Sequence, residues 1–449
     1  MFVPDVLHLK PEEIDTKEKR GKYTVSVIGC KQKGILYAIA FAEVGFKVIC
    51  TDTDQSLVKH LAKGKTLFHD REIEGKLKSF LRRRQLTVTS ELRNAISQSD
   101  IIVMTFTAKI DDKKHSDFLE VESICKQAGA AISRGALFIY GGTAGLGTTE
   151  GVIKETLENT SGLRVGEDFG LVYNPIHFSS SKPLTSIANQ ELKVAGIDRI
   201  SLESAANVMG TMTRSDVKQM LGVKTAEAAL LFTIAQKDAN LALANELAVF
   251  CENAGIDYFE TLKFIEANEP HFKPTVEAQQ DNGNKAYLLL ESAENLNAKL
   301  RLPALARKIN EDTIRHAVNL TQDALRNCGK SLRRARVAVL GAAEPKTTTM
   351  IFVNMLERKG AKVNLYDPLL PKNEIAKMAR MFKRNLKDAV EGTDCIVIMA
   401  KKNRFRRLNP KKLRALMKMP AAIVDLTGII DAQKLENKGF TYSRPGRGM

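Results

Sequence analysis

Six residues, Gly29-Cys30-Lys31-Gln32-Lys33-Gly34, stand between an apolar, β-branched run, TVSVIGC (24–30), and a run with helical apolar spacing, ILYAIAFAEVG. A G-x-G-x-x-G dinucleotide loop belongs in that position, between strand and helix. Gly29 permits the tight turn, Gly34 permits close helix–strand packing, and the helix N-terminus can receive a pyrophosphate. Asp52 lies 23 residues after Gly29 and closes the next strand-like run, FKVICTDTD (46–54). A carboxylate there would hold a ribose hydroxyl, which points to NAD rather than NADP. Lys31 replaces the middle glycine of the pattern. Two outcomes stay open for it: its side chain fills the space where backbone should approach the phosphates, or its ammonium itself contacts a phosphate. The competing reading is an α/β domain that keeps the fold and has lost the ligand. Gly341-Ala342-Ala343 is a weaker version of the same loop.

The elements that would position these residues follow from periodicity. Strand-like runs recur at DIIVMTF (100–106), GALFIYGGT (135–143), FGLVYNP (169–175) and ELKVAG (191–196), with helical stretches between them. Such alternation predicts a parallel, doubly wound sheet. From about Ile200 to Cys328 strand signals vanish, and long Ala-, Leu- and Glu-rich helical segments take over, notably 223–255 and 286–327. Alternation returns with ARVAVLGAAEP (335–345), AKVNLYDP (361–368), DCIVIMA (394–400) and AAIVDLTGIID (421–431). The expected fold class is α/β: two Rossmann-like doubly wound parallel-sheet domains bracketing a central all-helical domain. The boundaries are a loosely attached arm at 1–22, an NAD-binding type domain at 23–198, the helical domain at 199–328, and a second Rossmann-like domain at 329–449. A chain of 449 residues suits about three domains at ~150 residues each.

Composition excludes several classes. Apolar residues make up 44% and charged residues 27% of the chain, the balance of a soluble globular protein rather than of a disordered or fibrous one. No run approaches the ~20 apolar residues of a membrane span, and the first twenty residues lack a secretory apolar core, so a cytoplasmic location is expected. The six cysteines (Cys30, Cys50, Cys125, Cys251, Cys328, Cys395) form no CxxC pair and read as reduced buried thiols, and no metal site is expected. A formal net charge of +16 predicts a positive surface suited to an anionic small molecule, nucleic acid or an acidic membrane surface.

Further motifs carry a resemblance. Gly147-Thr148-Thr149-Glu150 follows Thr143, and Tyr173-Asn174-Pro175 follows in turn. Thr225-Ala226-Glu227-Ala228-Ala229 precedes Ala244-Asn245-Glu246, and Tyr366-Asp367-Pro368 and Ile423-Val424-Asp425 come later. In order and spacing these resemble the UDP-glucose/GDP-mannose dehydrogenases (nucleotide-sugar 6-dehydrogenases), from about Tyr23 to Arg447. The match includes that family's S-T-x-x-x-G-T-T and N-P-E segments and its long central helix. The resemblance implies an NAD-dependent, four-electron oxidation of a sugar C6 hydroxyl to a carboxylate through a cysteine thioester. It also implies a homodimer made by the central helices and a nucleotide sugar held by the C-terminal domain. Thr143 is then the one reacting group that can be placed, on the cofactor side, while Asn174 and Lys346 fall in the substrate site.

The departures are chemical. The family lysine after A-E-A-A is Leu230 here, and its asparagine one turn later is Ile234. The glutamate after N-P is Ile176, and the next carboxylate position is Ser180. The family's G-G-H-C-x-P-x-D-P stretch is represented by 277–287, and no cysteine occurs between Cys251 and Cys328. The F-K-P…D-D-x-R-x-S loop is represented by Glu344-Pro345-Lys346-Thr347-Thr348-Thr349, without its arginine. Without a thiolate the covalent route to the acid is missing, and each lost oxyanion donor costs about two orders of magnitude in rate. Lys237 could be a relocated cation or a solvated surface lysine, and Cys251 a relocated nucleophile or a core thiol. The sequence therefore predicts a catalytically altered or inactive member, with two alternatives: a non-catalytic NAD- or nucleotide-sugar-binding regulatory dimer, or a basic scaffold for nucleic acid or an acidic surface. The last draws on Arg82-Arg83-Arg84, Lys330 through Arg336, and the run from Lys401-Lys402 through Phe405 to Arg414.

Overall fold

The computed structural model describes residues 5–67, 70–111, 113–175, 183–265, 282–341, 348–368, 381–400 and 403–448. The chain divides into two compact units, Met1–Thr233 with Tyr287–Leu296, and Ile234–Ala286 with Asn297–Met449.

In the first unit the apolar runs become β1 (Thr24–Ile28), β2 (Lys47–Thr51), β3 (Leu86–Thr89), β4 (Ile101–Met104), a short hairpin β5 (Lys109–Ile110) and β6 (Ser116–Asp117), then β7 (Leu137–Tyr140), β8 (Gly170–Tyr173), β9 (Leu192–Gly196) and β10 (Val217–Leu221). All but the hairpin form one eight-stranded sheet in the order β10-β9-β8-β7-β4-β1-β2-β3. Residues Ile101–Met104, Leu137–Tyr140 and Gly170–Tyr173 are buried throughout, as strands covered on both faces must be. The strand order reverses at β1, which pairs with β2 on one side and β4 on the other. A switch point of this kind leaves a crevice beyond the carboxyl ends of the strands. The helix Gln32–Val44 follows β1 and buries Ile35 through Ala42 without a break, so it sits inside the unit's core rather than on its surface.

Two expected boundaries need correction. Residues 199–221 belong to the first sheet's surroundings, not to an all-helical middle. The helix Arg199–Gly210 packs Leu202, Ala205, Val208 and Met209 into the same core as β1, and β10 pairs in parallel with β9. The two parallel-sheet domains of the expected fold class are there, with one local departure in the first sheet: β8 meets β9 antiparallel, Val172 opposite Gly196. The N-terminal segment is not a loose arm: Val6, Leu7, Leu9 and Ile14 are buried, Val6 N–H donates to Gly135 O at 2.8 Å, and Ser204 Oγ donates to Val6 O.

The second unit carries β11 (Arg336–Leu340), β12 (Lys362–Tyr366), β13 (Cys395–Ile398), β14 (Ala421–Asp425) and β15 (Phe440–Ser443). They form a five-stranded sheet, β12-β11-β13-β14-β15, parallel at every pairing. Its helices include Arg301–Asn327 and most of the 32-residue helix Val223–Ala254. A buried polar cluster ties the two together. Arg307 Nη1 lies 2.6 Å from Asp238 Oδ1, Asn310 Nδ2 donates to Asp238 O and Oδ1 at 2.9 Å, and Asn245 Nδ2 donates to Asn310 Oδ1 at 2.9 Å.

Candidate functional site

The glycine loop has the geometry its sequence requires. Gly29 sits at φ +88°, a conformation costly for any residue with a Cβ, and its N–H donates to Thr51 O at 2.9 Å. A Cβ on Gly34 would lie 1.9 Å from Gly29 O, so this glycine lets the helix Gln32–Val44 pack directly on the turn. Lys31 is the exposed N-cap of that helix and its side chain caps no helix N–H. The first-turn N–H groups are thereby left for an anion.

Asp52 closes the loop from below. Its Oδ2 accepts Cys30 N–H at 2.7 Å and its Oδ1 accepts Asp54 N–H at 3.0 Å. The carboxyl is buried, and that desolvation pushes its pKa up against the pull of the Asp54 and Cys30 N–H donors and of Lys31. Gly29, Lys31, Gly34 and Asp52 are thus one constellation at the carboxyl ends of β1 and β2. The segment after β4 adds Thr105, whose Oγ1 donates to Gly29 O at 2.6 Å, and Thr107, whose Oγ1 accepts Thr143 N–H at 3.2 Å. Thr143, buried and after β7, is thereby held beside the segment that follows β4. These residues fit NAD: a helix end free of side-chain caps for the pyrophosphate and a carboxylate at the end of β2 for the ribose.

A Gly34→Ala variant is expected to force the loop open, costing about 1–3 kcal/mol, and to show no rise in melting temperature with NAD where the wild type is expected to show one. A Cβ on Gly75, in the helix Arg71–Arg82, would meet nothing within 4 Å, so Gly75→Ala serves as the control. It should stabilise the protein by about 0.5–1 kcal/mol. Thermal melts with and without NAD check both.

The two motifs that carry most of the resemblance prove to be halves of one contact. Glu227, on the first turns of the long helix, accepts Gly147 N–H at 2.6 Å through Oε2, and Thr149 N–H at 2.8 Å and Thr149 Oγ1–H at 2.6 Å through Oε1. Burial pushes its pKa up, opposed by the Thr149 and Gly147 donors. Sequence reasoning identifies both segments without joining them. The available signal is a carboxylate on the same helical face as Leu230, Leu231 and Ile234, all of them buried.

Other expected positions land elsewhere. Asn174 is buried beneath the loop: its Oδ1 accepts the Tyr37 hydroxyl, its Nδ2 donates to Lys193 O at 2.5 Å, and its N–H donates to Tyr140 O at 2.8 Å. That network ties β7, β8 and β9 to the helix Gln32–Val44. Leu230 and Ile234 are buried and apolar where the resemblance would place a lysine and an asparagine. Lys237 is half-buried rather than fully solvated, and desolvation lowers its pKa. All six thiols are buried; Cys251 packs with Ala244, Ala248 and Tyr258, and burial pushes its thiol pKa up. Ile176, Ser180, residues 277–281, Glu344 through Thr347 with Lys346, and Lys401 and Lys402 lie outside the described residues. Among the described residues no cluster of His, Cys, Asp and Glu could hold a metal, and no helix is long and apolar enough to cross a membrane. Phe405, the aromatic within the densest basic run, is buried against Tyr366, so it offers no surface for a base to stack on.

Residues 23–209 match the NAD binding domain of the UDP-glucose/GDP-mannose dehydrogenase family, and residues 346–432 match its UDP binding domain. The chain is 27% identical over 438 residues to UDP-N-acetyl-D-mannosamine dehydrogenase of Pyrococcus horikoshii, covering 94% of this chain and 99% of the relative. It is 26% identical to Protein CapL of Staphylococcus aureus, covering 92% of this chain and 97% of that one. The solved structure of the Pyrococcus horikoshii UDP-D-ManNAc dehydrogenase superposes with a TM-score of 0.82 at 24% identity, covering 95% of this chain and 99% of that one. That likeness shows a shared fold.

Proposed function

Since the chain belongs to the UDP-glucose/GDP-mannose dehydrogenase family, whose members are NAD-dependent nucleotide-sugar dehydrogenases, we propose that it keeps the ligands of that family and has lost the route from alcohol to acid. NAD, a hydride acceptor, is held by Gly29, Lys31 and Gly34 at the N-terminus of Gln32–Val44, with Asp52 on the ribose. A UDP-sugar is the ligand of the second unit's sheet. The protein acts in the cytoplasm as a binding or regulatory homodimer.

The observation that carries this reading is the contrast between a nucleotide loop that keeps Gly29, Gly34 and Asp52 and a reacting face turned apolar. Leu230 and Ile234 are buried on the long helix, and no cysteine lies between Cys251 and Cys328 to form a thioester. An aldehyde intermediate would meet no thiolate and no cationic oxyanion donor at those positions. Dimerisation is supported by a stripe on the same helix: Leu243, Leu247 and Phe250 are 57%, 43% and 63% exposed, at a spacing that puts them on one face. A second copy of the chain is the proposed cover.

The test combines melting temperature with NADH absorbance, using NAD and a panel of UDP- and GDP-sugars. A saturating ligand, at about a hundredfold over its Kd, stabilises the folded state by about 2.7 kcal/mol. The expected result is a shift with NAD, a shift with a UDP-sugar, and no NADH. Production of NADH would overturn the loss of catalysis and direct the search for a base to Lys237. No shift with any nucleotide would leave the family fold without its ligands.

A further inference from the structure

In the second unit a cavity of about 490 Å³ opens where the helix Arg301–Asn327 gives way to the turn before β11. Arg326, Lys330, Arg333 and Lys359 line it together with Gln322 and Ser331, and among the described residues no carboxylate does. The cations differ in what already neutralises them. Lys330 Nζ lies 2.8 Å from Asp394 Oδ1, and Arg326 Nη1 lies 2.9 Å from Asp323 Oδ1. Lys359 Nζ donates to the neutral Gln322 Oε1 at 3.2 Å. Arg333 and Lys359 meet no carboxylate at ion-pair distance among the described residues.

The place is as telling as the charge. Arg333 precedes β11 and Lys359 precedes β12, so the cavity lies at the amino ends of these strands. Nucleotides bind open α/β sheets beyond the carboxyl ends, which here run out at Gly341 and Asp367. Five strand residues separate the two edges, about 16 Å at ~3.3 Å per residue. A cation in the last turn of a helix has a use of its own, since it complements the helix dipole, and that accounts for Arg326. Lys359 follows the helix Thr348–Arg358 and has the same use there, so Arg333, in the turn before β11, is the cation that the dipoles do not explain.

We propose that this cavity binds a phosphate dianion, free or as the phosphomonoester of a metabolite, at a site separate from the nucleotide site of the same sheet. Arg333 supplies the planar two-pronged donor that phosphate oxygens match, and Lys359 supplies a point charge. Their two charges, which no described carboxylate compensates, equal those of the dianion. Lys330 and Arg326 hold the walls through their own carboxylates, and Ser331 adds a hydroxyl.

Titration calorimetry of the full chain at low ionic strength, with inorganic phosphate and with a sugar phosphomonoester, tests this. The expected result is saturable binding of at least one of them, with hydrogen-exchange protection confined to 326–334 and 357–361. Tighter binding of the ester identifies a metabolite as the source; equal binding identifies free phosphate. The double variant Arg333→Ala/Lys359→Ala should weaken binding by about tenfold or more, and Lys411→Ala/Lys412→Ala, at an exposed basic pair elsewhere, should leave it unchanged. Arg333 and Lys359 are exposed, so their truncation spares the core, and a melt of the variant checks this. The proposal falls if phosphate does not saturate, if protection maps to another segment, or if the control pair weakens binding equally. It also falls if an oligonucleotide binds more tightly than the ester and loses affinity with either pair, which would make the whole basic face a nucleic-acid surface.

Discussion

Replacing Arg307 by methionine lowers the stability of the second unit by about 3–5 kcal/mol, the cost of leaving one member of a buried ion pair behind. Arg307 and Asp238 expose only 4% and 5% of their side chains. Burial already pushes the Asp238 carboxyl up in pKa, against the opposing pull of Arg307 and Asn310. Without the guanidinium, the carboxylate keeps Asn310 but loses its countercharge in a site that water does not reach. The companion variant Asp238→Leu/Arg307→Met removes both charges, and similar apolar replacements are often neutral or stabilising. It should therefore cost less than Arg307→Met alone. The chain has no tryptophan, so urea unfolding followed by circular dichroism is the suitable readout. A double variant as unstable as the sum of the single ones would mean that the pair is not coupled.

Glu227→Ala is the second large loss, at about 3 kcal/mol or more, because three donors that the carboxylate satisfies, two of them buried and one half-buried, are left without it at ~1–3 kcal/mol each. Gly147 N–H, Thr149 N–H and Thr149 Oγ1 all converge on it. The pH dependence has a definite sign. The folded-state pKa is raised, so the protonated carboxyl is the form folding favours. That contribution is fully present below the unfolded value of ~4.3 and is lost as pH rises through the folded pKa. Glu227→Gln cannot titrate, so the difference between wild type and this variant should shift toward the variant as pH rises across that window. Melting temperatures at several acid pH values measure it. An unchanged difference would place the titration elsewhere.

TVSVIGC and DIIVMTF announce β1 and β4 because strands covered on both faces need continuous apolar runs. VKQML does not announce β10, since an edge strand exposing Lys218 and Gln219 carries no such run. The N-terminal segment hid its burial because Val6, Leu9 and Ile14 follow neither a strand nor a helix period. Gly29 and Gly34 were legible because a turn at positive φ and a close backbone approach each demand glycine, and Asp52 by its place just after the second strand-like run. The burial of Asn174 under Tyr37, and the grip of Glu227 on a turn 78 residues away, were not legible, because no local period encodes a contact between distant segments.

The six buried thiols divide evenly along the chain: Cys30, Cys50 and Cys125 lie in the first unit, and Cys251, Cys328 and Cys395 in the second. An alkylating reagent can reach any of them only when the surrounding structure opens, so labelling rate becomes a clock for local unfolding. Mass spectrometry of the labelled peptides would read three such clocks in each unit, with no probe engineered into the chain. If the units open independently, a dose of urea chosen between their midpoints should stain one set of three and spare the other.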